Sequence, residues 1–168
     1  MPSAVEPPFG PPVALVIDDE ASLRELVSRM LEPEVCRVLH ASDAEGGLRA
    51  IELGDPHVDV VLTDFVMPGL DGLDVVEVLA EYRPTVPVAI VSAHAGSIYQ
   101  VQRRLGGQLR VLQKPFSEDA VRSLTVGLIA EASALRQQAE YQHAYGADGR
   151  IDLVSAAWAI HHSRQQKS

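Results

Sequence analysis

Three acids, one hydroxyl and one amine stand just after apolar runs of this sequence. In chain order they are Asp18, Asp19, Asp64, Ser92 and Lys114. Three carboxylates brought together would repel each other unless a cation neutralised them. Because this set offers oxygen ligands and neither thiolate nor imidazole, the pattern favours Mg²⁺. A carboxylate beside such an ion can attack a phosphoryl group and form an acyl phosphate, while the lysine neutralises charge on the transferring oxygens.

These side chains meet only if the apolar runs before them are neighbouring strands. Apolar runs typical of strands occur five times, at residues 13–17, 35–41, 58–63, 86–91 and 109–113. Their alternation with segments of helical spacing predicts a parallel sheet covered by helices on both faces. Right-handed crossovers then place all five carboxyl ends at one edge, where ligands bind in such folds.

Helical spacing of apolar residues predicts four helices between and after the strands. These helices carry Leu23–Leu31, Leu48–Leu53, Leu73–Leu79 and Ile98–Leu105. Asp43 can cap the second helix at its start, and Gly54 can end it. Prolines 33 and 84 follow the first and third helices, where helices commonly stop.

The composition excludes several classes of protein. The formal net charge of −9 disfavours binding to nucleic acid, whose backbone would repel the surface. The single cysteine, Cys36, excludes an intrachain disulfide and is expected to be a buried apolar residue. No apolar run approaches the roughly 18–20 residues that a membrane span needs, and the first residues do not resemble a signal peptide. We therefore expect a cytoplasmic protein without a membrane or nucleic-acid partner.

Four motifs in order resemble the receiver domain of bacterial two-component response regulators. The matching segments are Val16–Glu20, Asp64–Gly72, Val91–Ala93 and Lys114–Phe116. The resemblance implies an α/β, flavodoxin-like doubly wound fold with a five-stranded parallel sheet in the order 2-1-3-4-5. It covers a receiver domain over residues 13–130.

The resemblance also implies a metal site. Asp64 would be the phosphoacceptor and a ligand of Mg²⁺. Asp19 would bind the ion directly, and Asp18 would bind it directly or through water. The backbone carbonyl of Val66 would complete the share of the metal shell that the protein supplies.

The remaining motif residues take the family's places for a hydroxyl and a lysine. Ser92 would donate a hydrogen bond to the attached phosphoryl group, and Lys114 would neutralise its charge. Pro115 is often preceded by a cis peptide bond in this family. The sequence departs from the family at Val111, where receivers usually carry the aromatic residue whose ring responds to phosphorylation.

The leading hypothesis is a phosphoacceptor that takes its phosphoryl group from a histidine kinase or phosphotransfer protein. It would catalyse only its own phosphorylation and dephosphorylation, so it would not be a turnover enzyme. No DNA-binding module is visible, so a downstream protein effector is expected. The alternative is a receiver-like dimerisation or interaction module that does not depend on phosphorylation. A phosphohydrolase is disfavoured because Val66 stands where those enzymes place a second acid.

Two segments flank the receiver. The proline-rich residues 1–12 predict a disordered leader. Residues 131–168 predict a helical extension. It begins as the continuation of a helix of about 25–28 residues that starts near Ser117, projects from the domain and could form a homodimer contact. The apolar stripe of this helix comprises Val121, Leu124, Leu128, Ala132, Leu135 and Ala139.

A second, short helix is expected after a turn at Gly146–Gly149. Its apolar face would hold Ile151, Val154, Trp158 and His161. Two arrangements are open for this helix: it could fold back on the receiver, or it could pack on a partner subunit.

Overall fold

The computed structural model describes residues 10–94, 96, 102, 109–142 and 151–167. Three predicted features lie wholly or mostly outside these residues. They are the leader before Gly10, the short helix with Ile98, Val101 and Leu105, and the turn at Gly146–Gly149.

Five parallel strands form the centre of the fold in the order β2-β1-β3-β4-β5, which confirms the predicted sheet. The strands are β1 (Val13–Ile17), β2 (Arg37–Ala41), β3 (Val60–Asp64), β4 (Val88–Ser92) and β5 (Arg110–Gln113). The strands β2, β3 and β4 begin two residues later than predicted. The apolar residues before them, Cys36, Val58 and Val86, are buried but lie outside the strands, so burial alone accounts for their apolar character.

Five helices cover the sheet in the described ranges. They are α1 (Ala21–Leu31), α2 (Ala44–Leu53), α3 (Gly72–Tyr82), α4 (Glu118–Gln142) and α5 (Leu153–Gln165). Asp43 caps α2 as predicted, since its Oδ1 accepts a 2.7 Å hydrogen bond from the amide of Gly46. Gly54 ends α2 with a φ of 63°. Leu53 was expected on the buried face, but its side chain is 80% exposed.

Apolar side chains fill both faces of the sheet. Alternate residues of β1 point to opposite sides, because successive side chains of a strand do so. Leu15 and Ile17 pack in a cluster with α2, α3 and α5. Ala14 and Val16 pack in the other cluster with α1 and α4. None of the helices in the described ranges combines the length and the apolar character that crossing a membrane would require.

The long helix α4 has 25 residues, in agreement with the predicted length. Its side chains Val121, Leu128 and Ala132 are completely buried in the core of the domain. Further along, the Arg136 guanidinium forms an ion pair with Asp59. The expectation that this helix projects from the domain after residue 130 is therefore wrong as far as Arg136, because the apolar stripe packs on the chain itself.

The terminal helix α5 folds back on the receiver, which resolves the choice that the sequence left open. It packs against α2 and α3, and its side chains Leu153 and Ala157 are completely buried. The predicted face is wrong at Ile151, which lies before the helix and is 38% exposed. The buried face of α5 centres on Leu153 and Ala157 and not on the predicted residues, because both α2 and α3 contact the helix.

Replacing Arg136 with alanine is expected to lower the free energy of unfolding by about 1–3 kcal/mol, because the change removes a charged hydrogen-bond donor from a nearly buried carboxylate. That carboxylate, Asp59, also accepts a 2.7 Å hydrogen bond from the amide of Val13 at the start of β1. Urea denaturation measures the effect. The exposed Gln137→Ala on the same helix is the matched control, and equal stability of the two variants would contradict the prediction.

Candidate functional site

A lysine and two aspartates from three different strands meet at the carboxyl edge of the sheet. Asp18 directly follows β1, Asp64 ends β3 and Lys114 directly follows β5. The Lys114 Nζ donates a 3.1 Å hydrogen bond to Asp18 Oδ2 and a 3.2 Å hydrogen bond to Asp64 Oδ1. The ammonium therefore bridges the two carboxylates, which are brought together as the sequence predicts.

Asp19 completes a cluster of three acids. Carboxylate oxygens of Asp18, Asp19 and Asp64 all lie within 4.8 Å of one another. Asp18 is buried and Asp19 is exposed, so the cluster opens toward solvent on one side. A donor set made only of carboxylate oxygens suits a hard divalent cation such as Mg²⁺, which keeps several of its waters. These residues therefore fit the predicted ion.

Burial and charge act in opposite directions on the phosphoacceptor candidate. Burial raises the pKa of Asp64, the Lys114 ammonium lowers it, and the charge of Asp18 raises it again, with a net upward shift. Burial lowers the pKa of Lys114, but its hydrogen bond to Asp18 and the charge of Asp64 outweigh burial and raise it. Lys114 therefore stays protonated and positively charged at the site. Ionising Asp64 costs more free energy in the folded protein than in water.

The Asp18 position is fixed by two hydrogen bonds from the start of α1. The amide of Glu20 donates to Asp18 Oδ1 at 2.8 Å, and the Arg24 Nη1 donates to the Asp18 carbonyl at 2.6 Å. Arg24 was not predicted from the sequence as a residue of the site. Its signal is weak, because an arginine one turn into a helix is ordinary on a solvated helix surface.

Ser92 lies at the end of β4, in the neighbouring strand to Asp64, and is almost completely buried. Its Oγ accepts a 3.0 Å hydrogen bond from the amide of His94. Its backbone carbonyl accepts a 2.8 Å hydrogen bond from the amide of Lys114. The pairing of β4 with β5 thus holds the hydroxyl residue and the lysine residue at the same edge.

The loop between β3 and α3 is packed tightly against the phosphoacceptor candidate. A Cβ atom at Gly72 would overlap the Asp64 carbonyl oxygen, so only glycine fits there. The Gly72 amide donates a 3.0 Å hydrogen bond to the Phe65 carbonyl. Val66, two residues after Asp64, has a side chain that is 59% exposed, and the predicted role of its carbonyl as a metal ligand stays a prediction.

Two aspartates fix the start of α3. Asp71 and Asp74 form a capping box, in which each side chain accepts a hydrogen bond from the backbone amide of the other. No role for Asp74 was predicted from the sequence, so this capping box was missed. A recognisable signal was present, because an acid at the N-cap with a carboxylate three residues later resembles the known capping-box spacing.

Val111, where the sequence departs from the family, lies in an apolar environment. Val111 is half-buried and packs in a small apolar cluster with Ile90 and Leu109, against which Phe65 and Val76 also lie. Close by in the chain, the peptide bond between Lys114 and Pro115 is cis, as the resemblance implied. An aliphatic side chain therefore occupies the position that an aromatic ring usually has in receivers.

The sheet order and the acid–lysine cluster define a receiver-type α/β domain. The family model described as "Response regulator receiver domain" matches residues 14–125 of this chain. This match covers more than half of the chain, and the chain therefore belongs to the response regulator receiver domain family.

Curated relatives agree with this assignment. The chain is 36% identical over 112 residues to the DNA-binding transcriptional regulator NtrC of Proteus hauseri, covering 65% of this chain and 23% of that protein. It is 34% identical over 120 residues to the transcriptional regulatory protein ResD of Bacillus subtilis, covering 71% and 48%. The chain thus spans about a quarter to a half of the length of these curated relatives.

Solved structures show the same architecture. A response regulator receiver domain protein from Clostridium thermocellum matches with a TM-score of 0.66 and 28% identity, covering 74% of this chain and 98% of that one. The receiver domain of nitrogen regulatory protein C matches with a TM-score of 0.62 and 28% identity, covering 71% and 94%.

Replacing Asp64 with asparagine is expected to stabilise the protein at neutral pH when a chelator removes divalent cations. The folded pKa of this carboxyl is raised, so its ionised form opposes folding at a pH above that value. As pH falls through the folded pKa and then the unfolded pKa, the carboxyl becomes neutral in both states and the advantage of the variant disappears. Thermal unfolding temperatures measured from about pH 8 down to about pH 3, below the ordinary pKa of an aspartate, give the difference.

The exposed Asp55→Asn is the control for a general loss of negative charge. An Asp64→Asn protein that is less stable than wild type at neutral pH, or whose advantage grows as pH falls, would contradict this account of the charge balance at the site.

Proposed function

We propose that this receiver is a phosphoacceptor in a two-component phosphorelay, with Asp64 as the residue that takes the phosphoryl group. The observation that carries the proposal is the bridge of the Lys114 ammonium between Asp18 and Asp64. This arrangement holds a carboxylate nucleophile beside a fixed positive charge and beside two further acids that can bind a cation. Phosphoryl transfer requires such positioning and charge neutralisation more than it requires covalent help from the protein.

The transfer itself balances as a displacement at phosphorus. A carboxylate oxygen of Asp64 forms a bond to phosphorus while the bond between phosphorus and the donor breaks, and the electron pair of that bond leaves with the donor. The donor is the phosphorylated imidazole of a histidine kinase or phosphotransfer protein. Lys114 then neutralises charge on the transferred group, and the hydroxyl of Ser92 donates a hydrogen bond to it. Water later hydrolyses the acyl phosphate, so the chain catalyses only its own modification.

A divalent cation is part of the proposal. Asp18, Asp19, Asp64 and the backbone carbonyl of Val66 would hold Mg²⁺, and the acidic cluster supports this assignment. When bound, the ion supplies additional positive charge for the oxygens of the phosphoryl group. In the structure, Lys114 neutralises part of the negative charge of the cluster by pairing with Asp18 and Asp64.

The output is proposed to be a change of contacts with a downstream protein, in the cytoplasm. A homodimer through the end of α4 is one proposed form of this output, and the half-buried Leu135 and Ala139 are the residues of the predicted apolar stripe that it would use. The upstream part of the predicted stripe is already used within the domain. This leaves less apolar surface for a dimer than the sequence indicated.

One observation favours the alternative, a receiver-like interaction module that works without phosphorylation. Val111 packs as a fixed aliphatic residue in the cluster with Ile90 and Leu109, so the usual aromatic response is absent at this position. The intact bridge between Lys114 and the two aspartates argues for phosphorylation, because a module without this chemistry gains nothing from a clustered, partly buried set of acids.

Acetyl phosphate treatment followed by intact mass measurement tests the proposal. Wild type is expected to gain the mass of one phosphoryl group in Mg²⁺ and not in EDTA, because the acidic cluster needs the ion. Asp64→Asn is expected to gain nothing, and the exposed Asp55→Asn is expected to behave as wild type.

Size-exclusion chromatography with light scattering on the same samples would show whether dimerisation accompanies labelling. Failure of wild type to gain mass under any of these conditions would contradict the phosphoacceptor function and favour the interaction module. Equal labelling of wild type and Asp64→Asn would place the modification on another residue.

A further inference from the structure

The terminal helix α5 lies on the receiver as a bound helix would lie on a partner. Leu153 and Ala157 are completely buried in the apolar cluster formed with α2 and α3. The ring of Trp158 lies 3.9 Å from the position that a Cβ atom at Gly69 would occupy, so it packs on the loop between β3 and α3. An apolar face of α5 therefore contacts two helices and the loop that begins at the phosphoacceptor candidate.

Polar contacts on the α2 side fix the orientation of α5. The Leu153 amide donates to a carboxylate oxygen of Glu52, near the end of α2. The Trp158 Nε1 donates a 3.1 Å hydrogen bond to Glu45 Oε1, near the start of α2. The two ends of α2 therefore hold the first half of α5, from Leu153 to Trp158.

Polar contacts on the α3 side involve basic residues of α5 and the capping acids of α3. The Arg164 Nη2 donates to Asp71 at 3.1 Å and to Asp74 Oδ1 at 2.7 Å. The His161 Nδ1 lies 2.9 Å from Asp74 Oδ2. Asp74 is completely buried, so its negative charge depends on these partners. Charge complementarity thus joins the end of α5 to the first turn of α3.

A short chain of contacts connects this ion-pair cluster to Asp64. Asp71, which Arg164 holds, directly precedes Gly72. The Gly72 backbone packs so closely on the Asp64 carbonyl that a methyl group would not fit between them. A shift of the backbone at residue 64 therefore displaces Gly72, and with it the carboxylate of Asp71.

We propose that residues 153–165 are a built-in helical ligand of the α2–α3 surface, and that their docking is coupled to the phosphorylation state of Asp64. The docked helix holds the β3–α3 loop in the arrangement described above and slows phosphorylation. Phosphorylation moves the loop and weakens docking. The coupling rests on the proposed function of Asp64. The free energy by which phosphorylation weakens docking equals the free energy by which docking disfavours the phosphorylated form.

The sequence supplies an intrinsic probe of docking, because Trp158 is the only tryptophan in the chain. In the docked state its ring is half-buried and its Nε1 is hydrogen-bonded. Acetyl phosphate with Mg²⁺ is expected to shift its emission to longer wavelength and to increase acrylamide quenching in wild type. Asp64→Asn, treated identically, is expected to show neither change.

The reciprocal effect is tested with Arg164→Gln, which removes the charge that α5 places on Asp71 and Asp74. This variant is expected to show increased quenching before any phosphorylation, and to be labelled by acetyl phosphate faster than wild type, because the undocked helix no longer restrains the β3–α3 loop. Arg29→Gln, an equal charge change at an exposed residue of α1, is the matched control and is expected to label at the wild-type rate. His161→Gln is the second variant if Arg164→Gln does not fold, as judged by circular dichroism.

The outcomes distinguish the coupling of α5 from the phosphoacceptor function of Asp64. Labelled wild type with unchanged Trp158 emission, together with wild-type labelling rates in the folded α5 variant, would overturn the coupling and leave Asp64 as the phosphoacceptor. Absence of labelling in wild type would overturn the proposed function, and the coupling would fall with it. Faster labelling in Arg164→Gln and a phosphorylation-dependent Trp158 signal would support the coupling.

Discussion

The Lys114 ammonium holds together two carboxylates that would otherwise repel each other at the edge of the sheet. Its hydrogen bonds to Asp18 and Asp64 require β1, β3 and β5 to end at the same level. The parallel order of the sheet provides this alignment, and right-handed crossovers put helices on both faces. The remaining residues of the site, Ser92 and Asp19, lie at the same edge of the sheet, at the end of β4 and just after β1.

Much of this arrangement could be predicted from the sequence. The continuous apolar runs before Asp18 and Asp64 indicated strands buried on both faces, and a parallel sheet allows only one edge for their carboxyl ends. The predicted strand boundaries were less accurate, because Val58 and Val86 are buried but lie outside the strands. An apolar residue indicates that a position is buried, whereas backbone hydrogen bonds decide whether that position belongs to a strand.

The neighbours of the two C-terminal helices could be predicted only in part. The continuation of α4 was expected to project but packs on the domain, and folding back of α5 was one of two arrangements that the sequence left open. An apolar stripe shows that a helix face is covered, but it does not show by what. Ala132 belongs to the core of the domain, and Leu153 and Ala157 belong to the opposite cluster. The acids that hold α5 in place, Asp71 and Asp74, are far from it in the sequence, so their pairing with Arg164 could only be seen in three dimensions.

Calorimetric titration with Mg²⁺ tests most directly whether the clustered acids form a cation site that Lys114 partly neutralises. We predict one binding site in wild type and weaker binding in Asp19→Asn, which loses one carboxylate of the cluster. Lys114→Gln is predicted to bind Mg²⁺ more tightly than wild type, because its ammonium no longer competes for Asp18 and Asp64. Identical affinities in wild type, Asp19→Asn and Lys114→Gln would contradict the account.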